Sequence, residues 1–188
     1  MQSTEVQEKE ILDYLPAPFA VFVRVVEKVN YRVGRFAMYL IFAILGVLIY
    51  SSITKTFFLP ALWTLEMAQF LMVAYYMLGG PYSMQLGSHV RMDLVYGNWS
   101  LKTKSIVDAF TAIFLLVYLG VLFYGAISST SYALEYGERS YSSWRPYMAP
   151  IKLVMCLSIL LMLLQAVAVF LKDIATWRQQ SDKPEVQA

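Results

Sequence analysis

Four long stretches without a formally charged residue dominate this chain of 188 residues: 37–54, 67–88, 109–134 and 153–171. An α-helix rises about 1.5 Å per residue, so roughly 20 residues are needed to cross the hydrocarbon core of a bilayer. With short extensions into their flanks, all four stretches reach that length. The sequence therefore predicts four transmembrane helices.

Composition agrees with an integral membrane protein of the all-α class, because 59% of the residues are hydrophobic and only 15% are charged. We predict a polar N-terminal tail (1–18), an amphipathic interfacial helix (19–35), a four-helix transmembrane domain (36–175) and a polar C-terminal tail (176–188). The first fifteen residues are acidic and lack the basic start of a secretory signal. The first span is therefore expected to stay attached.

The segment before the first span has two chemically different faces. At 100° per residue, Phe19, Phe22, Val23, Val26, Asn30 and Val33 fall on one face, and Arg24, Lys28, Arg32 and Arg35 fall on the opposite one. This pattern predicts a helix on the inner membrane surface, with Gly34 as a bend into the first span. Anchoring to membrane lipids is favoured over docking to a partner protein, because basic flanks are common beside membrane spans.

Basic residues near the span ends predict the orientation. Ten of them flank the start of the first span, the second connection and the end of the fourth span, whereas the other two connections carry only Lys55, Arg139, Arg145 and Lys152. Both termini are therefore predicted to be cytoplasmic. The segments 55–65 and 135–151 are predicted to face outward.

Glu66 is a carboxylate near the outer end of the second predicted span. Its first-turn position suits the helix macrodipole, and Lys55 and Lys152 are expected near the same boundary as possible partners. A structural ion pair is favoured over a transported-ion ligand, because one carboxylate supplies too few oxygens for a hard cation.

Two further features belong to the second span and its exit. Gly79, Gly80 and Pro81 remove two side chains and one amide donor, which predicts a bend or a close helix contact. His89, Arg91 and Asp93 alternate just after the span. A polar turn is the favoured interpretation there, because a catalytic histidine–aspartate pair also needs a nucleophile in a cavity.

Aromatic and polar residues mark the second half of the chain. Trp144 and Arg145 lie in an aromatic-rich connection, which is favoured as a membrane-interface belt over a protein-docking surface. Gln165 lies within the apolar fourth span, where an interhelical hydrogen bond is favoured over a ligand contact.

The residue counts exclude several kinds of site. A single cysteine, Cys156, excludes an intramolecular disulfide and a cysteine-rich metal cluster, and a single histidine excludes haem ligation by two imidazoles of this chain. We therefore predict a non-enzymatic protein with no catalytic, cofactor or metal site and no nucleic-acid partner.

The order of several features resembles a known family. Trp63 and Glu66 open the second helix, Gly79 follows within it, and the segment Gly87-Ser88-His89-Val90-Arg91-Met92-Asp93 resembles the family pattern G-x-H-[IV]-x-[VM]-D; Trp144, Pro150, Lys152, Leu164 and Gln165 then follow in order. Over roughly residues 35–175 the chain resembles the DctQ-type small membrane subunit of tripartite ATP-independent periplasmic (TRAP) transporters. Gln85 departs from the pattern, because many relatives have arginine there.

The resemblance implies a role and partners. Such a subunit is a non-catalytic component of a sodium-coupled transporter in the bacterial inner membrane. It braces a large multi-span membrane subunit, and a periplasmic substrate-binding protein delivers the substrate, commonly an organic acid. The resemblance also implies that the outer loops of the small subunit contribute to docking that binding protein.

Two other classes of function remain open from the residues alone. A stand-alone four-helix exporter needs a carboxylate within the membrane that is accessible from both sides, and Glu66 is the only candidate. A respiratory membrane anchor needs ligands for haem or quinone, for which a partner chain would have to supply a second imidazole.

Overall fold

A computed structural model describes residues 16–86 and 101–182, with side chains for 16–86 and 110–175. That part of the chain forms four α-helices: α1 (Ala17–Phe57), α2 (Trp63–Gln85), α3 (Leu101–Glu135) and α4 (Ala149–Asp182). The described parts of all four uncharged stretches lie within these helices. The predicted all-helical architecture is therefore confirmed.

Helix α4 lies at the centre of the bundle. Consecutive helices pack as the pairs α1–α2 and α3–α4, and α4 also contacts both α1 and α2. About 33% of the apolar segment of α4 is buried, compared with 6% in α3. One core cluster joins α1 to α4 through Val23, Val26 and Ala168, and a second joins α2, α3 and α4 through Met84, Leu119 and Ala166.

Helix α1 differs from the prediction of two separate helices. It is continuous over 41 residues, which corresponds to a length of about 60 Å, twice the hydrocarbon thickness. Val23 and Val26 are buried against α4, and Gly34 lies inside the helix without ending it. Protein within this chain thus covers part of the apolar face predicted for the lipid surface, whereas Phe19 is 47% exposed. An interfacial position for 19–35 stays a prediction.

Three of the four helical segments are long and apolar enough to cross a membrane: Ala17–Phe57, Phe110–Glu135 and Ala149–Ala175. Helix α2 is long enough, with 23 residues, but Glu66, Gln69, Gln85 and its tyrosines make it less apolar. Its passage across the bilayer stays a prediction.

Helix α2 continues through Gly79, Gly80 and Pro81 as far as Gln85. Pro81 is fully buried. A Cβ atom placed on Gly80 would lie 3.8 Å from Sδ of Met162, an ordinary van der Waals distance. Gly80 therefore lies at the contact between α2 and α4, and the helix is not broken there.

Candidate functional site

Two polar pairs connect α1 to α4. Asn30 Nδ2 donates a hydrogen bond of 2.7 Å to Gln165 Oε1, and both side chains are only 1% exposed. The structure thus places Gln165 in an interhelical hydrogen bond, the arrangement that the sequence favoured over a ligand contact. Lys172 Nζ forms an ion pair with Glu27 Oε1. We call these contacts the α1–α4 polar pairs.

The sequence analysis missed Glu27, although a signal for it exists. Its side chain is 16% exposed and that of Lys172 is 23% exposed, so most of this ion pair is removed from solvent. Glu27 lies four residues after Val23 and three before Asn30, so it falls on the face that packs against α4. A carboxylate inside an otherwise apolar helix face indicates a buried partner.

Gly34 lies at a close contact between α1 and α2. A Cβ atom built on Gly34 would lie 2.4 Å from both Cβ and Cγ of Tyr82. Only glycine, which has no Cβ, fits at this crossing. The ring of Tyr82 also lies 5.9 Å from that of Tyr31, whose hydroxyl accepts a hydrogen bond from Arg35.

Hydroxyl groups connect the helices at the opposite end of the bundle. Ser51 Oγ and Thr64 Oγ1 are 3.0 Å apart and buried, which joins α1 to α2. Thr130 Oγ1 lies 3.3 Å from the carbonyl oxygen of Lys152 in α4, but the carbonyl oxygen of Ala126 in its own helix is closer, at 2.7 Å, and is the better acceptor for its single hydrogen. Polar contacts of α1, with α4 at one end of the bundle and with α2 at the other, therefore join different helices.

The ion pair suggested for Glu66 does not form among the described residues. Lys152 instead pairs with Glu138, and Lys55 is exposed. Glu138 lies three residues after the end of α3, in the connection that leads to α4, and Lys152 lies in the first turn of α4. Glu66 Oε2 is buried and has no hydrogen-bond partner within the described part of the chain.

A structured hairpin spans residues 136–148 between α3 and α4. Arg139 and Tyr147 form an antiparallel bridge, and the Arg139 guanidinium lies 4.1 Å from the centre of the Tyr147 ring. Arg145 has a φ of 49°, in the left-handed region, and its backbone N–H donates to Ser142 Oγ at 3.2 Å. Trp144 is 42% exposed at the tip. We call this segment the α3–α4 hairpin.

The remaining predicted site residues are placed as follows. Gly79 has open space around its missing Cβ. His89, Arg91 and Asp93 lie outside the described residues, so the polar turn proposed for them stays a prediction. Within the part of the chain that the structure describes, no three His, Cys, Asp or Glu side chains form a group that could hold a metal ion.

Comparison with known families decides among the remaining classes of function. The family model for the DctQ component of tripartite ATP-independent periplasmic transporters matches residues 44–176, more than half of the chain. The chain belongs to the DctQ family. The resemblance found in the sequence is thereby confirmed, and the chain is the small membrane component of a TRAP transporter. No curated protein and no solved structure matches it.

The region matched by the DctQ family contains some of the contacts described above, whereas others involve residues that precede it. It covers Ser51, Thr64 and the whole α3–α4 hairpin. Glu27, Asn30 and Gly34 precede it, although Gln165 and Lys172, which bind two of them, lie within it. In each α1–α4 polar pair, the residue on α1 therefore lies before the matched region and the residue on α4 lies within it.

Proposed function

We propose that this DctQ protein is the accessory membrane subunit of a sodium-coupled TRAP transporter for organic acids, and that it braces the large transport subunit. The family match over residues 44–176 is the observation that carries the proposal. In this arrangement sodium coupling and substrate movement belong to the large subunit, and selection of the organic acid belongs to the substrate-binding protein.

The charge distribution supports a defined orientation in the bacterial inner membrane. Arg24, Lys28, Arg32 and Arg35 are all exposed on α1, where they are available to the cytoplasmic leaflet and its headgroups. With both termini in the cytoplasm, the four helices cross in alternating directions. The α3–α4 hairpin and the α1–α2 connection then face the periplasm.

The packing of the bundle supports a bracing role. Polar contacts join α1 to α4 and α1 to α2. Hydrogen bonds between membrane helices fix their mutual positions, because an apolar solvent offers no competing partner. A bundle fixed in this way provides a stable surface for a larger subunit.

Co-purification tests the proposed function directly. When a tagged form of this chain is expressed with a large multi-span TRAP subunit and extracted in mild detergent, we expect the two to elute together by size-exclusion chromatography. An untagged preparation passed over the same resin is the control. A stable homo-oligomer that transports substrate without the large subunit would overturn the proposal.

We further propose that the α3–α4 hairpin contributes to docking the periplasmic binding protein. Its backbone is fixed by the bridge between Arg139 and Tyr147, by the Met148 N–H bond to the Glu138 carbonyl and by the ion pair of Glu138 with Lys152. Tyr, Trp and Arg side chains on a preformed loop are the types that dominate protein interfaces.

Substitutions at the hairpin tip test this docking role. Replacing Trp144 and Arg145 by alanine removes an exposed anchor and an exposed cation without touching the contacts that fix the hairpin. We expect binding-protein-dependent uptake to fall while the large subunit still co-purifies. The matched control is Trp63→Ala, which removes a tryptophan outside the hairpin. Uptake unchanged by the double substitution would assign Trp144 to the membrane-interface belt instead.

A further inference from the structure

Helix α2 has an exposed stripe with regular helical spacing. Leu62, Leu65, Gln69, Met72, Tyr76 and Gly79 follow one another at alternating intervals of three and four residues, Leu62 preceding the first turn. The side chains of Leu62, Leu65, Met72 and Tyr76 are 64%, 56%, 45% and 67% exposed, and Gln69 is also exposed. Residues at this spacing lie on one side of a helix. We call them the α2 stripe.

The α2 stripe contains one amide, Gln69, where a purely lipid-facing surface would be apolar. The amide of Gln69 makes no hydrogen bond to any described residue, and Glu66, three residues before it, has the buried and unpartnered oxygen Oε2. Gln69 lies about 9 Å along the helix from Trp63. Glu66 Oε2 is covered by this chain itself, whereas the amide of Gln69 is exposed. An unpartnered amide is costly in hydrocarbon, so Gln69 needs a hydrogen-bond partner from beyond the described residues.

The exposed faces of α1 and α3 provide the contrast. Between Phe36 and Ile49 in α1, and between Ile113 and Ile127 in α3, the sequence contains no amide or charged side chain. Their exposed residues there are mostly large and apolar, with occasional tyrosines. Lipid tails can cover such surfaces, and among the described residues of these three faces only α2 exposes an amide, that of Gln69.

Gly79 continues the α2 stripe and leaves it open to close approach. Nothing lies within 4 Å of a Cβ built at this position, whereas a Cβ built on Gly34 would overlap with Tyr82. No contact with a described residue therefore explains the missing side chain of Gly79. A small residue on a membrane helix allows the backbone of another helix to approach closely.

We propose that the α2 stripe is the surface on which a membrane-spanning helix of the large TRAP subunit packs. That helix presents amide, hydroxyl or guanidinium groups to the exposed amide of Gln69, and it approaches most closely at Gly79. The inference rests on the proposed function, because it assigns the contact surface for the partner named there.

Site-specific photocrosslinking in the assembled transporter tests the inference. Benzoylphenylalanine is introduced at Gln69 or Tyr76, and at Tyr39 of α1 or Tyr124 of α3 as controls that are 65% and 77% exposed. We expect adducts with the large subunit from positions 69 and 76 and none from 39 and 124. Adducts from 39 or 124 alone, adducts between two copies of this chain, or no adduct at 69 and 76 would each overturn the inference.

A pair of glycine substitutions gives a second readout. Gly79→Leu is expected to abolish co-purification of the large subunit, because the leucine side chain occupies the space left for the partner helix. The matched control is Gly46→Leu on α1, which also has nothing within 4 Å of its Cβ and is expected to retain the large subunit. Both variants should fold, since neither meets another atom of this chain.

Different results would contradict the proposed function and the proposed role of the α2 stripe. If the unmodified chain does not co-purify with the large subunit, the proposed function is wrong. If the unmodified chain does co-purify and Gly79→Leu does so equally well, only the assignment of the α2 stripe is wrong.

Discussion

Replacing Gly34 by alanine is expected to lower the free energy of unfolding by about 1–3 kcal/mol, the usual cost of overpacking. The added Cβ would lie 2.4 Å from Cβ and Cγ of Tyr82. Carbon atoms in contact are normally about 3.5–4.0 Å apart, so α1 and α2 must separate. We would measure thermal unfolding of the purified protein in detergent by tryptophan fluorescence.

Gly46→Ala is the matched control for this substitution. It lies in the same helix, and nothing is within 4 Å of its added Cβ. Alanine is favoured over glycine in a helix by up to about 1 kcal/mol, so this variant should be as stable as the parent or slightly more stable. Equal effects of the two substitutions would contradict the close contact at Gly34.

Tyr82→Ala provides a further check on the same contact. Because the Cβ atom of residue 82 is itself 2.4 Å from the added Cβ, shortening tyrosine to alanine does not remove the clash. The variant with both Gly34→Ala and Tyr82→Ala is therefore expected to stay less stable than Tyr82→Ala alone. Full recovery of stability in that comparison would show that the ring, rather than the helix separation, limits the contact.

The helices themselves could be predicted because their signal is local. Each uncharged stretch is about twenty residues long and apolar, as a membrane-spanning helix must be. The same reasoning correctly indicated an interhelical bond for Gln165, since a buried amide needs a partner. It did not identify Asn30 as the partner of Gln165. The two residues are 135 positions apart, and a single sequence does not say which helices become neighbours.

The sequence left more open where a local pattern has more than one physical cause. The apolar face of residues 19–35 fits a lipid surface or another helix equally well, and in this chain Val23 and Val26 pack against α4. The bend expected at Gly34 stays a prediction, and the missing side chain of Gly34 also permits a close contact with Tyr82. Lys152 was a possible partner for Glu66, but Glu138, which lies in the hairpin directly before α4, binds it instead.

Polar groups in this DctQ protein divide into satisfied and unsatisfied sets. Glu27, Gln165, Ser51 and Thr64 bind other helices of the same chain. Gln69 and one oxygen of Glu66 have no such partner among the described residues. The first set stabilises the bundle. In the second set Glu66 Oε2 is buried, so the exposed amide of Gln69 is the polar group on which the proposed contact of α2 with the large subunit rests.

Replacing Gln165 by leucine is expected to lower the free energy of unfolding by about 1–3 kcal/mol, because the buried amide of Asn30 then loses its acceptor. Both side chains are 1% exposed, and the Oδ1 atom of Asn30 already lacks a partner among the described residues. Water therefore cannot replace the bond without opening the α1–α4 contact. Gln69→Leu, an identical change at an exposed amide without a partner, should leave the stability of the isolated chain unchanged.

A double-mutant cycle separates the hydrogen bond from the loss of packing. Interhelical hydrogen bonds in a membrane protein contribute about 0.6 kcal/mol on average and at most about 1.7 kcal/mol, and we expect a coupling energy in this range between Asn30→Leu and Gln165→Leu. The double variant should be more stable than the sum of the single effects predicts, because it leaves no unpaired buried amide. Strictly additive effects would show that the two amides do not bind each other. In that case the Glu27–Lys172 ion pair and the packing of Val23 and Val26 would have to hold the N-terminal half of α1 against α4.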